Sequence, residues 1–129
     1  MGKRVINPLP VGVGGFFKET NMRLRYDYST KMCQDRFGRI EKLGKIKLVR
    51  GYRYFGRYNT SHEAVLVVGE NGTARFGGLL WGYGGEGPRG LRELLLKLNV
   101  PKEQAESIAF NTPRKDEVGE DWRLVLPVE

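Results

Sequence analysis

Lys45, Lys47, Arg50, Arg53, Phe55 and Arg57 lie close together in the sequence and are interleaved with Tyr52, Tyr54 and Tyr58. Basic side chains neutralise phosphates and release counterions, while an aromatic ring on a sheet face stacks on a base for about 1–3 kcal/mol. On an extended chain Tyr52, Tyr54 and Tyr58 share one face, and Arg53, Phe55 and Arg57 share the other. One face is then core and the other a basic surface with an aromatic in its middle. Lys45 and Lys47 join Arg53, Phe55 and Arg57 if the register holds through Gly51. The chemistry this predicts is binding of nucleic acid, DNA or RNA, with little sequence preference.

A second candidate is the glycine-rich run from Gly82 to Gly87, followed by Pro88. Gly82, Gly84 and Gly87 satisfy G-x-G-x-x-G, but no room remains for the second parallel strand and acidic ribose ligand of a dinucleotide fold. No Gly-Lys-Ser/Thr follows, so no nucleotide cofactor is expected. A helix starting at Pro88 would leave the N–H groups of Arg89, Gly90 and Leu91 free to receive an anion, with Arg89 and Arg92 adding charge. The plainer reading is a tight turn with Glu86 complementing the helix dipole.

Other chemistries lack residues. One histidine and one cysteine provide no metal-ligand set, and the acidic residues Asp116, Glu117, Glu120 and Asp121 are expected on a loop. Ser61, His62 and Glu63 are chain neighbours whose side chains cannot converge on a strand, so no catalytic residue is assigned and no enzyme activity is expected.

The net charge of +7 is uneven. Residues 1–60 carry 14 Lys or Arg against 4 Asp or Glu, a net of +10, and residues 61–129 carry 8 against 11, a net of −3. Such asymmetry points to an anionic partner. A lone Cys33, no apolar signal-peptide core and no stretch resembling a membrane span predict a cytoplasmic protein without a membrane partner. The alternative function is a protein-interaction or assembly module, a homo-oligomer joined through residues 1–19 or a binder of a host protein.

The elements that must position these residues follow from periodicity. Residues 1–20 hold two prolines and a glycine-rich run and read as an extended arm, which Phe16 and Phe17 would dock on this chain or a second copy. Met22, Leu24, Tyr26 and Tyr28 alternate with Arg23, Arg25 and Asp27, the pattern of a half-buried strand that should form a meander with a second strand after Gly44. Glu63–Val68 reads as a strand closed by the turn Gly69–Gly72, and Leu79–Trp81 as a strand entering the glycine run. Leu91, Leu94, Leu95 and Leu98 share a helix face, Pro101 starts a second helix, and Trp122, Leu124 and Leu126 alternate in a last strand. The class is α+β: an antiparallel sheet of about five strands with one or two helices on one face, formed by residues 21–129.

Trp81 to Leu91, read as W-G-Y-G-G-x-G-P-x-x-L, is preceded by Tyr54, Gly56 and Arg57 and by Val65 and Val67, and followed by Trp122 and Leu124. This set resembles a small domain family of bacteriophage and bacterial genomes that has no assigned function. The resemblance covers about residues 50–129 and implies a compact domain in a possible viral setting, with no catalytic residues.

Overall fold

The computed structural model describes residues 22–128. The arm expected over residues 1–20, its two phenylalanines and the oligomer contact through residues 1–19 lie outside the described residues. Five strands form one sheet: β1 (Met22–Tyr26), β2 (Ile46–Phe55), β3 (Ser61–Gly69), β4 (Gly72–Phe76) and β5 (Gly119–Val125), in the order β1-β4-β3-β2-β5. Three α-helices accompany them: α1 (Thr30–Gln34), α2 (Glu86–Lys97) and α3 (Lys102–Asn111). The α+β class and the helices packed on a mostly antiparallel sheet agree with the sequence reading.

Hairpins β2–β3 and β3–β4 supply the centre, the latter closed by Glu70 and Asn71. The expected meander of the first two strands does not form. β1 instead lies parallel to β4, with Leu24 opposite Ala74 and Tyr26 opposite Phe76. The next strand in the chain, β2, lies three places from β1, so the chain after β1 must cross β4 and β3 to reach it. It does so through α1 and the 3-10 turn Phe37–Leu43; the turn packs over β4 and β3, and α1 packs against α2. The link from β4 to β5 crosses through α2 and α3. Both crossovers use the same side of the sheet.

That side holds the core. Val49, Val65, Val67, Ala74, Phe76, Trp122 and Leu124 project from the strands and meet Cys33, Ile40, Leu43, Leu91, Leu94, Leu95, Ala105 and Ala109. Phe76 is stacked on Tyr26 with ring centroids 5.2 Å apart and takes the edge of Phe37 at 5.5 Å. Packing without voids is what makes single changes here costly.

Leu79–Trp81 is a loop and not a strand; the strand ends at Phe76. The glycine-rich run wraps that loop tightly around a fully buried Trp81. Gly82 takes φ +90°, and a Cβ there would lie 2.7 Å from the Thr112 carbonyl oxygen. Only glycine suits a positive φ with backbone this close. No described helix is long and apolar enough to cross a membrane.

Candidate nucleic-acid interface

Strand alternation leaves the opposite side of the sheet to Arg23 and Arg25 on β1, Thr73 and Arg75 on β4, and Ala64, Leu66 and Val68 on β3. Leu48, Arg50, Tyr52 and Tyr54 on β2 and Arg123 and Val125 on β5 complete it. All three helices sit on the core side, so no described element covers this surface. Arg23, Arg25, Arg123 and Val125 are exposed, and Arg50, Tyr52, Tyr54 and Arg75 are half-buried by one another.

The arginines and tyrosines are organised in pairs. The Arg50 guanidinium carbon lies 4.7 Å from the Tyr52 ring centroid, and that of Arg75 lies 5.1 Å from Tyr54. Tyr52 and Tyr54 are 5.8 Å apart, and His62 stacks on the other flank of Tyr54 at 5.5 Å. His62 also bonds the Thr60 hydroxyl through Nε2 at 3.0 Å. Burial works against the Arg75 charge, but the oxygens of Tyr52, Tyr54 and Asp27 outweigh it and raise its pKa above the ordinary guanidinium value. Glu120 pairs with Arg50 at 2.8 Å and with Arg123 at 3.0 Å, and Asp27 pairs with Arg75 at 3.3 Å and Arg25 at 3.5 Å. Arginines outnumber these carboxylates; the Arg25–Asp27 and Arg123–Glu120 pairs have exposed arginines and are worth about 0–1 kcal/mol, so they exchange readily for phosphates, whereas the Arg50 and Arg75 side chains are largely covered.

The sequence-predicted residues divide. Arg50 lies on the open face. Lys45 and Lys47 are exposed at the start of β2, where a register shift between Ile46 and Leu48 breaks the alternation. Phe55 is 57% exposed at the far end of β2. Arg57 opens the 3-10 turn Arg57–Asn59, and its side chain lies outside those described.

Arg53 is a correction. It shares the covered side with Val49 and Gly51, is only 6% exposed, and serves as the hub of a buried ion network. Its Nη2 donates to Glu63 Oε2 at 2.6 Å and to Asp121 Oδ2 at 3.2 Å. Trp81 Nε1 donates to the same Asp121 oxygen at 2.9 Å. Arg114 grips Glu63 with Nε to Oε2 at 3.0 Å and Nη2 to Oε1 at 2.5 Å, which holds its own pKa high. Asp121, expected on a loop, is the extra residue of a bulge where Gly51 faces Trp122 and Tyr52 faces Glu120. That bulge brings adjacent Asp121 and Trp122 to the same covered side. A Cβ on Gly51 would lie 2.1 Å from Trp122 Nε1, so the indole packs where only glycine leaves room.

The anion site expected at Arg89, Gly90 and Arg92 is not assembled. The helix begins at Glu86, two residues before Pro88, and Arg89 N–H already donates to the Gly85 carbonyl at 3.0 Å. Gly90 is buried, with its would-be Cβ 2.5 Å from Thr30 Cγ2. Arg92 pairs with Glu106 at 3.6 Å and lies over the Phe110 ring at 5.7 Å, leaving Arg89 exposed alone. Among the described residues no group of His, Cys, Asp and Glu is arranged to hold a metal ion. Cys33 is buried, and burial, partly offset by backbone hydrogen bonds, pushes its thiol pKa up.

Arg23, Arg25, Arg75 and Arg123 are the open-face residues that the sequence did not assign to the site, and Tyr52 and Tyr54, named there only as one face of the strand, lie on the open one. Their signal was available: β1 and β4 both place arginines at positions alternating with core residues. Comparison with family models, curated proteins and solved structures finds no match to this chain.

Proposed function

We propose that this protein binds single-stranded nucleic acid across the uncovered sheet face, with Tyr52 and Tyr54 as stacking rings and Arg23, Arg25, Arg50, Arg75 and Arg123 as phosphate contacts. The observation that carries the reading is the pairing of Arg50 with Tyr52 and Arg75 with Tyr54 on a surface no described helix covers. A guanidinium lying on a ring is held in place; Arg50 and Arg75 each also engage one carboxylate, Glu120 and Asp27, which an incoming phosphate oxygen joins or displaces. A flat sheet face presents rings to unstacked bases, which a paired duplex hides; this favours a single strand.

The test is fluorescence anisotropy of labelled oligothymidylate and oligouridylate over a salt series. Binding whose affinity falls steeply between about 50 and 200 mM salt supports the reading. Absence of binding at low salt, or binding indifferent to salt, refutes it.

A second reading rests on a different feature of the same face. Leu48, Leu66 and Val68 are half-buried beside Val125, which is 65% exposed. This apolar lane suits a protein partner, and in that scheme the protein is an assembly module. Gel filtration that shows a stable multimer, reverting to monomer when residues 1–19 are deleted, supports it.

A further inference from the structure

Strand β4 stops short of its neighbour. Phe76 pairs with Val65, so residues 61–64 of β3 have no partner on the β4 side. The chain turns away at Gly77, and a cleft of about 420 Å3 opens at this end of the sheet. Clefts of about 300–1,000 Å3 accept small molecules or single nucleotide units. This one is continuous with the open face, because Tyr54, His62, Arg25 and Arg75 line it as well; Asp27 and Tyr28 close the other side.

From this geometry, and resting on the nucleic-acid reading, we infer that the cleft is a base-selective subsite that holds one guanine of the bound strand. Its chemistry sets the choice. A carboxylate only accepts hydrogen bonds, and guanine alone among the bases offers it two adjacent donors, N1–H and the N2 amino group. Adenine and cytosine each oppose it with a ring nitrogen acceptor, and thymine and uracil offer one donor flanked by acceptors. Asp27 is the carboxylate placed to do this: its side chain is 54% exposed, Arg75 holds Oδ1 at 3.3 Å and Arg25 holds Oδ2 at 3.5 Å, and each oxygen keeps a further lone pair for a base donor. Glu63, the other carboxylate of the cleft, is committed to Arg53 and Arg114. Arg25 and Arg75 are donors suited to guanine O6 and N7 or to the adjoining phosphate. Tyr28, 42% exposed, provides ring surface for the base itself. The platform is then indifferent to sequence along most of its length and selective at one end.

The experiment compares oligothymidylate with the same strand carrying one guanine, one adenine or one hypoxanthine, by anisotropy, on the wild type and Asp27→Asn. The guanine strand is expected to bind about tenfold more tightly than the adenine strand, within what a bidentate base contact discriminates, with hypoxanthine between them. Asp27→Asn is expected to abolish that preference without weakening binding to pure oligothymidylate. Binding with no guanine preference, or a preference that survives Asp27→Asn, overturns the subsite and leaves the platform standing. Failure to bind any of the strands overturns the platform and the subsite together.

Discussion

Replacing Arg53 with methionine separates the buried network from the nucleic-acid surface. The substitution keeps side-chain length but removes the only cation within hydrogen-bond reach of both Glu63 and Asp121 among the described residues. Glu63 keeps Arg114, whereas the fully buried Asp121 side chain retains Trp81 Nε1 at 2.9 Å and a long contact from Lys115 N–H at 3.4 Å. Breaking a buried pair by removing one partner costs about 3–5 kcal/mol. Against a total of about 5–15 kcal/mol for a domain, that is a large loss. Urea denaturation should therefore show a much lower midpoint at unchanged slope.

The double variant Arg53→Met/Asp121→Asn removes both charges while leaving the amide oxygen for Trp81. It should be less destabilised than the sum of the single changes, with a coupling of about 2 kcal/mol, in the range for residues sharing one network. Arg53 Nη1 and Asp121 Oδ1 make no hydrogen bond, so the pair is imperfectly satisfied and its joint removal costs less than the loss of either charge alone. Oligonucleotide affinity of the folded Arg53→Met protein should be unchanged. A variant of wild-type stability with weakened, less salt-sensitive binding would refute the buried assignment.

Gly51→Ala should destabilise the fold by about 1–3 kcal/mol, because its methyl group meets the Trp122 indole, and tryptophan fluorescence during denaturation will read it. Cys33 should resist thiol reagents in the native state and react once unfolded. Its raised pKa means the native thiol holds its proton longer than the unfolded one, so this contribution to stability is complete below pH 9.0 and declines above it; denaturation midpoints across alkaline pH check the sign. Arg92→Ala should leave oligonucleotide affinity unchanged, since its charge is committed to Glu106 on the helix side.

Much of the fold was legible because local periodicity decided it. The alternation of Met22, Leu24 and Tyr26 with Arg23 and Arg25 placed β1 and both of its faces correctly, and the leucine spacing placed α2. Partnership was not legible, because alternation carries no information about which strand lies alongside; β1 therefore went to the wrong neighbour. Within β2, both faces carry arginine and aromatic residues, and period two alone cannot say which is covered. The deciding facts lie across the sheet, where Val65 and Trp122 flank Gly51 and Glu63 faces Arg53. Asp121 was hidden for a further reason, since a bulge breaks the very alternation that sequence reading relies on. The glycine-rich run was recognised as a turn, but its function of seating Trp81 against Asp121 depends on a contact spanning 40 residues.

Photo-crosslinking of oligothymidylate bearing bromodeoxyuridine, followed by mass spectrometric mapping of the attached peptides, tests the central claim most directly. The uncovered face predicts attachment at Tyr52 and Tyr54 on β2, lost on competition with unlabelled strand and on raising the salt. Attachment confined to α2 or α3, on the covered side of the sheet, would contradict it.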